Sequence, residues 1–136
     1  MRQSVLALAV FVSLMIPAKP SFAEWIEIVG NIEGTTFYID TKIRNHDGYI
    51  YYWELVDRLK PHKKWGYLSY KNYNEADCVR FKYRELLQSF HNQPMGRGEP
   101  SSGSGPIMES IWGWRQPSGS PFEDILEKAC DMAKNQ

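Results

Sequence analysis

The sequence predicts an α+β fold, an antiparallel β-sheet of about six strands with one C-terminal helix packed on it and tethered by a disulfide. Three observations carry this. Short runs rich in β-branched and aromatic residues recur between residues 25 and 84, with turn residues between them. One amphipathic stretch with its own start signal lies near the C terminus, from about residue 121. The two cysteines, Cys78 and Cys130, fall one beside a strand run and one inside that stretch.

Ahead of the folded part stands a segment that reads as an address. Arg2 precedes the apolar run from Val5 to Ile16, which Pro17 ends. This run is well short of the about 20 residues that span a bilayer. Ser21-Phe22-Ala23 then sets small residues at the −3 and −1 positions of a secretory cleavage site. Cleavage is expected between Ala23 and Glu24, leaving residues 24–136 as a single exported domain with no transmembrane segment. No cysteine lies near this junction, so a lipid anchor there is not expected. Export brings the chain into an oxidising compartment, where its two cysteines form one disulfide. A metal or nucleophilic thiol site lacks a second nearby thiol or a suitably spaced His. Closing a ring from residue 78 to residue 130 stabilises the fold by roughly 4 kcal/mol in the chain-entropy account.

The strands are read at 25–29, 36–40, 49–56, 67–71 and 79–84, all rich in β-branched and aromatic types. Turn signals separate them: Gly30-Asn31 with Gly34, Asn45-His46-Asp47-Gly48, and Pro61 to Gly66. Asp47-Gly48 is a hairpin signal, because Gly accepts the positive φ of a tight turn. Connections this short join antiparallel neighbours, so the sheet is a meander. In 79–84, Val79, Phe81 and Tyr83 alternate with Arg80, Lys82 and Arg84, giving an apolar and a basic face. Cys78 falls on the basic parity. Either a bulge near Cys78 resets the alternation, or the helix covers the end of the face that carries Arg80. The cations themselves read as a solvated strand face or as a binding stripe.

From Gln93 to Gly105 the chain is dominated by Pro, Gly and Ser and reads as a long mobile loop inside the disulfide ring. Its glycines make no phosphate cradle, since no Gly-Lys-Ser/Thr follows. Residues 107–114 read as a final strand with Trp112 and Trp114 on one face. Ser120-Pro121-Phe122-Glu123 then presents an N-cap Ser, Pro at the first helical position and Glu at the third, a capping box. The helix is expected over about 121–133. Phe122, Leu126, Ala129 and Ala133, with Ile125 alongside, form its apolar stripe, and Cys130 borders it.

Taken in order, Trp25, Phe37-Tyr38-Ile39-Asp40-Thr41, Tyr52-Trp53-Glu54-Leu55, Ser69-Tyr70-Lys71, Glu75-Ala76-Asp77-Cys78, Pro94-Met95-Gly96-Arg97-Gly98, Trp112, Pro117-Ser118-Gly119-Ser120 and Ala129-Cys130 resemble the surface-adhesin protein E family of bacterial exported proteins. The resemblance covers essentially all of residues 24–134. It implies the disulfide-held sheet and helix, and a cell-surface or periplasmic setting in Gram-negative bacteria. It also implies adhesion, since the namesake adhesins bind host extracellular-matrix and plasma proteins and are lipid-anchored. This sequence departs from them in lacking the lipidation cysteine. The family supplies no catalytic residues to carry over.

Composition narrows the function classes. Lys+Arg and Asp+Glu number 16 each, and removing residues 1–23 takes away Arg2 and Lys19 to leave a net charge of −2. With no Lys/Arg block longer than Lys63-Lys64, a dedicated nucleic-acid binder is excluded. His46, His62 and His91 have no metal-ligand or nucleophile–base spacing, so neither catalytic residues nor a metal or cofactor is expected. A non-catalytic binding module remains. Of 19 Phe, Trp and Tyr, only Phe11 and Phe22 precede residue 24. Tyr49, Tyr51 and Trp53 share one strand face while Tyr52 takes the other, so both faces are aromatic. The face that the helix leaves bare, or a sheet edge, is expected to meet a protein partner, a second copy of this chain included. Lys60, Lys63 and Lys64 form a turn rim that steers towards acidic partners. The alternatives are an envelope partner in the periplasm, or a planar hydrophobe such as haem held by Tyr or His on the concave sheet, with His91 in view. No Cys-x-x-Cys-His accompanies it.

Overall fold

The structure, a computed structural model, describes residues 23–108 and 113–136. The segment read as a signal, up to residue 22, lies outside the described residues, as does Trp112. The strands are β1 (Trp25–Ile32), β2 (Thr35–Asp40), β3 (Arg44–His46), β4 (Tyr49–Arg58), β5 (Ser69–Asp77), β6 (Lys82–His91) and β7 (Gly105–Pro106). One helix, α1 (Pro121–Lys134), follows them. The strands form one sheet in the order β1-β2-β4-β5-β6-β7, with β3 beside β4 as well. Every pairing is antiparallel. This is the expected meander with a seventh strand added.

Two hairpins close by the same chemistry. Asp47 (φ 51°) and Gly48 (φ 81°) join β3 to β4, and Glu33 (φ 50°) and Gly34 (φ 80°) join β1 to β2. Positive φ at both central residues is the turn that matches the twist of the flanking strands. Gly30-Asn31, read as a turn signal, instead lies inside β1, where the register to β2 shifts between Val29 and Ile32. A bulge uses the glycine there.

The largest departure from the sequence reading is at β5 and β6. Strand β5 runs on to Asp77 rather than ending at residue 71, and residues 78–81 are a turn rather than the start of a strand. Asp77 makes this turn: its Oδ1 accepts the amides of Val79 at 3.0 Å and Arg80 at 3.1 Å. Its Oδ2 accepts from the Arg80 guanidinium at 3.1 Å. An Asp that satisfies its own following backbone in this way ends a strand. Phe81 at φ 51° completes the reversal, and Val79 is left 94% exposed. The parity problem at Cys78 disappears, because Cys78 has already left the sheet. It bonds Cys130 with the Cα atoms 5.8 Å apart.

The core lies between α1 and one face of the sheet. Ile39, Ile50, Tyr52, Val56, Ala76 and Tyr83 meet Ile125, Leu126 and Ala129 of the helix. Full burial of each large apolar side chain stabilises by about 1.5–3 kcal/mol. Pro121 opens the helix as expected, but the capping box is rearranged. Ser120 Oγ donates back to the Pro117 carbonyl at 3.0 Å, and Glu123 accepts from the Gly119 amide at 2.9 Å. Of the final strand read at 107–114, residues 109–112 lie outside the described residues and 107, 108, 113 and 114 are not in a strand; β7 at Gly105–Pro106 and an isolated bridge between Tyr83 and Arg115 stand on either side of it.

The Pro/Gly/Ser-rich segment is not loose. It begins with a 3-10 turn at Pro94–Gly96, whose Met95 amide donates to Asp57 Oδ1 at 2.8 Å. Ser69 Oγ accepts from the Gly96 amide at 2.8 Å and donates to the Gln93 carbonyl at 2.6 Å. Further on, Ser101 and Ser104 bond the backbone of Phe90. This turn lies over Leu55 and Lys71, on the sheet face opposite α1.

Candidate functional site

Alternation along β4 sends Ile50, Tyr52, Glu54 and Val56 towards α1 and Tyr49, Tyr51, Trp53 and Leu55 away from it. Register places Glu75, Tyr73 and Lys71 of β5 opposite Tyr51, Trp53 and Leu55. Leu55 is fully buried beneath the Pro94–Gly96 turn, whereas Tyr51, Trp53 and Tyr73 are only half-buried. So the helix-free face is capped at one end and bare in the middle.

The bare middle is aromatic and cationic. Tyr73 lies between Trp53, at 4.9 Å between ring centroids, and Tyr51, at 6.1 Å, and the rings are within 36° of parallel. Arg44 stands over the Tyr51 ring at 5.4 Å, and Lys71 over Trp53 at 6.0 Å. Cations over ring faces are held by the ring quadrupole. These groups, with Trp25, Asp40 and Lys42, line a shallow cavity of about 390 Å³. It opens where β2 gives way to β3 along β4, since pairing to β2 ends at Glu54 and pairing to β3 begins at Tyr51. The Tyr51 hydroxyl donates to Glu75 Oε2 at 2.5 Å, and this bond chiefly pushes its pKa up to about 12. Arg84 holds the other oxygen of Glu75 at 2.8 Å, so that carboxylate is engaged on both sides.

Tyr49 continues the row towards Trp114, at 5.8 Å between centroids. Lys82 and Arg84 both stand 4.9 Å over the Trp114 ring. The basic parity read in 79–84 therefore divides: Arg80 pairs with Asp77 in the turn, and the other two flank a tryptophan.

Lys60, Lys63 and Lys64 do not join this face. Strand β4 is ten residues long, which puts its far end roughly 30 Å from Tyr49. They stand exposed on the β4–β5 loop, beside a second cavity of about 540 Å³ lined by His62, Trp65, Tyr67, Phe90 and Ser101 to Gly103. There His62 stacks on Tyr67 at 4.8 Å, and its Nδ1 accepts the amides of Lys64 and Trp65. Trp65 is 68% exposed with Lys64 over its ring.

His91 is taken out of the candidate set. It is buried, with Nε2 bonded to Ser89 Oγ at 2.7 Å and Nδ1 to the Gly98 carbonyl at 3.0 Å. Burial lowers its pKa, and neither nitrogen is offered to a ligand. Beneath the α1-facing side of the sheet lies a polar layer: Glu54 Oε1 accepts from Asn72 at 2.9 Å, and Asn72 accepts from Gln88 at 3.0 Å. Glu54 Oε2 and both polar atoms of the Asn74 side chain have no hydrogen-bond partner among the described residues. Burial pushes the Glu54 carboxyl up to about 7.

Alternation in the sequence put Tyr49, Tyr51 and Trp53 on one strand face without saying which face α1 covers; that face is the one away from α1, and the sequence did not point to Tyr73, Arg44 and Lys71 beside them. Their signal was the parity of a longer β5 and of β3, visible only with register in hand.

The chain matches the family described as surface-adhesin protein E over residues 25–131. It belongs to the surface-adhesin protein E family. Membership makes it a surface-adhesin-like protein, and the matched span takes in the whole sheet and both cysteines. No curated protein matches this adhesin-family chain. Among its described residues no helix is long and apolar enough to cross a membrane. Nor, among them, does any group of three or more His, Cys, Asp or Glu side chains stand ready to hold a metal ion. What the bare face offers chemically is stacking on flat rings and pairing with anions.

Proposed function

We propose that this surface-adhesin protein E family member is an exported, non-catalytic binding module that holds a protein partner on the helix-free face of its sheet. The partner is a host extracellular-matrix or plasma protein. The observation that carries the reading is the half-exposed Tyr51–Tyr73–Trp53 row under Arg44 and Lys71. Large rigid aromatics with cations at their rim are the side chains that dominate recognition surfaces. Export rests on the signal segment and cleavage between Ala23 and Glu24, which N-terminal sequencing of the processed protein checks.

The test is binding of the disulfide-bonded chain to immobilised matrix and plasma proteins. Trp53→Ala and Tyr73→Ala weaken the binding that wild type shows at least tenfold, while Lys63→Ala leaves it unchanged. Binding equal to wild type in both aromatic variants refutes the reading. A second reading, a planar hydrophobe such as haem, is favoured by the aromatic-walled cavity at His62, Trp65 and Tyr67. Titration with hemin checks it, and an unshifted Soret band removes it.

A further inference from the structure

From the chemistry of the bare face we infer that what it takes is a sulfated polysaccharide chain of the glycosaminoglycan kind, presented by the host surface. This rests on the proposed function and names the part of the partner that is recognised.

Strand geometry repeats same-face positions roughly every 7 Å, so Tyr51 and Trp53 with Tyr73 between them form a continuous ring surface rather than separate anchors. The C–H bonds of a pyranose ring, polarised by neighbouring oxygens, lie against the electron-rich faces of such rings. The cations mark the charge of the ligand. Lys42, Arg44 and Lys71 line the same cavity, and among the described residues none has a carboxylate within 4 Å. Two acids on this face are already engaged. Asp40 is buried and accepts the Lys42 amide at 3.0 Å, and Glu75 is shared by Tyr51 and Arg84. A face that stacks flat rings and leaves cations for anions fits an alternation of sugar rings and sulfates. Single-stranded nucleic acid shares the stacking and the charge. A nucleotide carries its phosphate away from the base that stacks, whereas a sulfated pyranose carries its charge on the stacking ring itself, which matches Arg44 and Lys71 standing directly over Tyr51 and Trp53.

The experiment measures binding of the disulfide-bonded chain to heparin, to fully desulfated heparin and to an oligo-dT strand of similar length. Expected is saturable heparin binding that drops at least tenfold on desulfation and again between 50 and 500 mM salt, with oligo-dT at least tenfold weaker. Arg44→Gln with Lys71→Gln, and separately Trp53→Ala, each lower heparin affinity at least fivefold with the circular dichroism spectrum and the disulfide intact. Lys63→Gln does not. Oligo-dT binding as tight as heparin overturns the inference, as does heparin binding that ignores desulfation or the face variants. If matrix-protein binding is lost in Trp53→Ala yet survives enzymatic removal of glycosaminoglycan, the glycan inference falls and the proposed function stands. If the face variants alter neither, both fall.

Discussion

Trp53 and Tyr73 face each other across β4 and β5 with their ring centroids 4.9 Å apart, on the side of the sheet that α1 does not cover. One residue earlier in the same strand, Tyr52 is 1% exposed and sits in the core under the helix. Neighbouring aromatics of one strand thus serve different purposes.

That separation predicts unequal costs. Trp53→Ala, which removes a half-exposed cross-strand pair, lowers stability by about 1 kcal/mol. Tyr52→Ala, which empties a core position, lowers it by about 3–5 kcal/mol. Urea unfolding midpoints of the two variants check this, and equal losses contradict the assignment of covered and bare faces.

Glu54 gives stability a pH dependence with a definite sign. Its carboxyl is held at about 7 in the fold against 4.5 for the free group, so the folded state keeps a proton that the unfolded chain gives up. Stability from this residue is fully present below pH 4.5 and is lost as pH rises through 7. Glu54→Gln keeps an oxygen to accept from Asn72 and carries no charge, so it raises stability at pH 8 by about 1–3 kcal/mol and changes little at pH 4.5. His91 works in the opposite direction. Its pKa is lowered by burial, so its contribution is lost as pH falls below 6.5. Chemical denaturation of wild type and Glu54→Gln at pH 4.5, 6 and 8 separates the two, because the difference between the proteins reports Glu54 alone.

Gly96 is the point where the Pro/Gly/Ser-rich segment touches the sheet. It has φ 66°, and a Cβ there would stand 2.8 Å from Lys71 Cδ and 3.3 Å from Leu55 Cδ1. Gly96→Ala is therefore destabilising by about 1–2 kcal/mol, through the backbone conformation and the close approach together. Limited proteolysis shows faster cleavage between residues 93 and 105 in this variant, with the disulfide holding the two fragments together. Unchanged protection means that Met95 and Ser101 hold the segment without it.

Local chemistry made much of the fold legible. Asp47-Gly48 turns as its φ requirement predicts, and the 3.6-residue stripe of Ile125, Leu126, Ala129 and Cys130 faces the sheet. The β5 boundary was illegible because Asn72 and Asn74, weak strand formers, are buried in the sheet by a polar layer that no local pattern announces. Phe81 at positive φ is a conformation that sequence disfavours in an aromatic residue, so alternation through 79–84 read as strand. The site was half legible for a related reason. Parity puts Tyr51 and Trp53 on one face, but only register brings Tyr73, Lys71 and Arg44 to them. The distance that separates Lys60, Lys63 and Lys64 from them is the length of β4 itself.

The bond between Cys78 and Cys130 also sets how the chain responds to tension between its ends. Tension applied between the N-terminal strand and the C-terminal helix crosses directly from one sulfur to the other. Residues 79–129, which include β6 and the docked Pro94–Gly96 turn, lie off that path and bear none of the load. With a sequence separation of 52, the ring withholds roughly 180 Å of contour from extension. Force can peel β1 to β5 apart, yet the yield length of the molecule is capped covalently, and reduction of one disulfide releases the remainder.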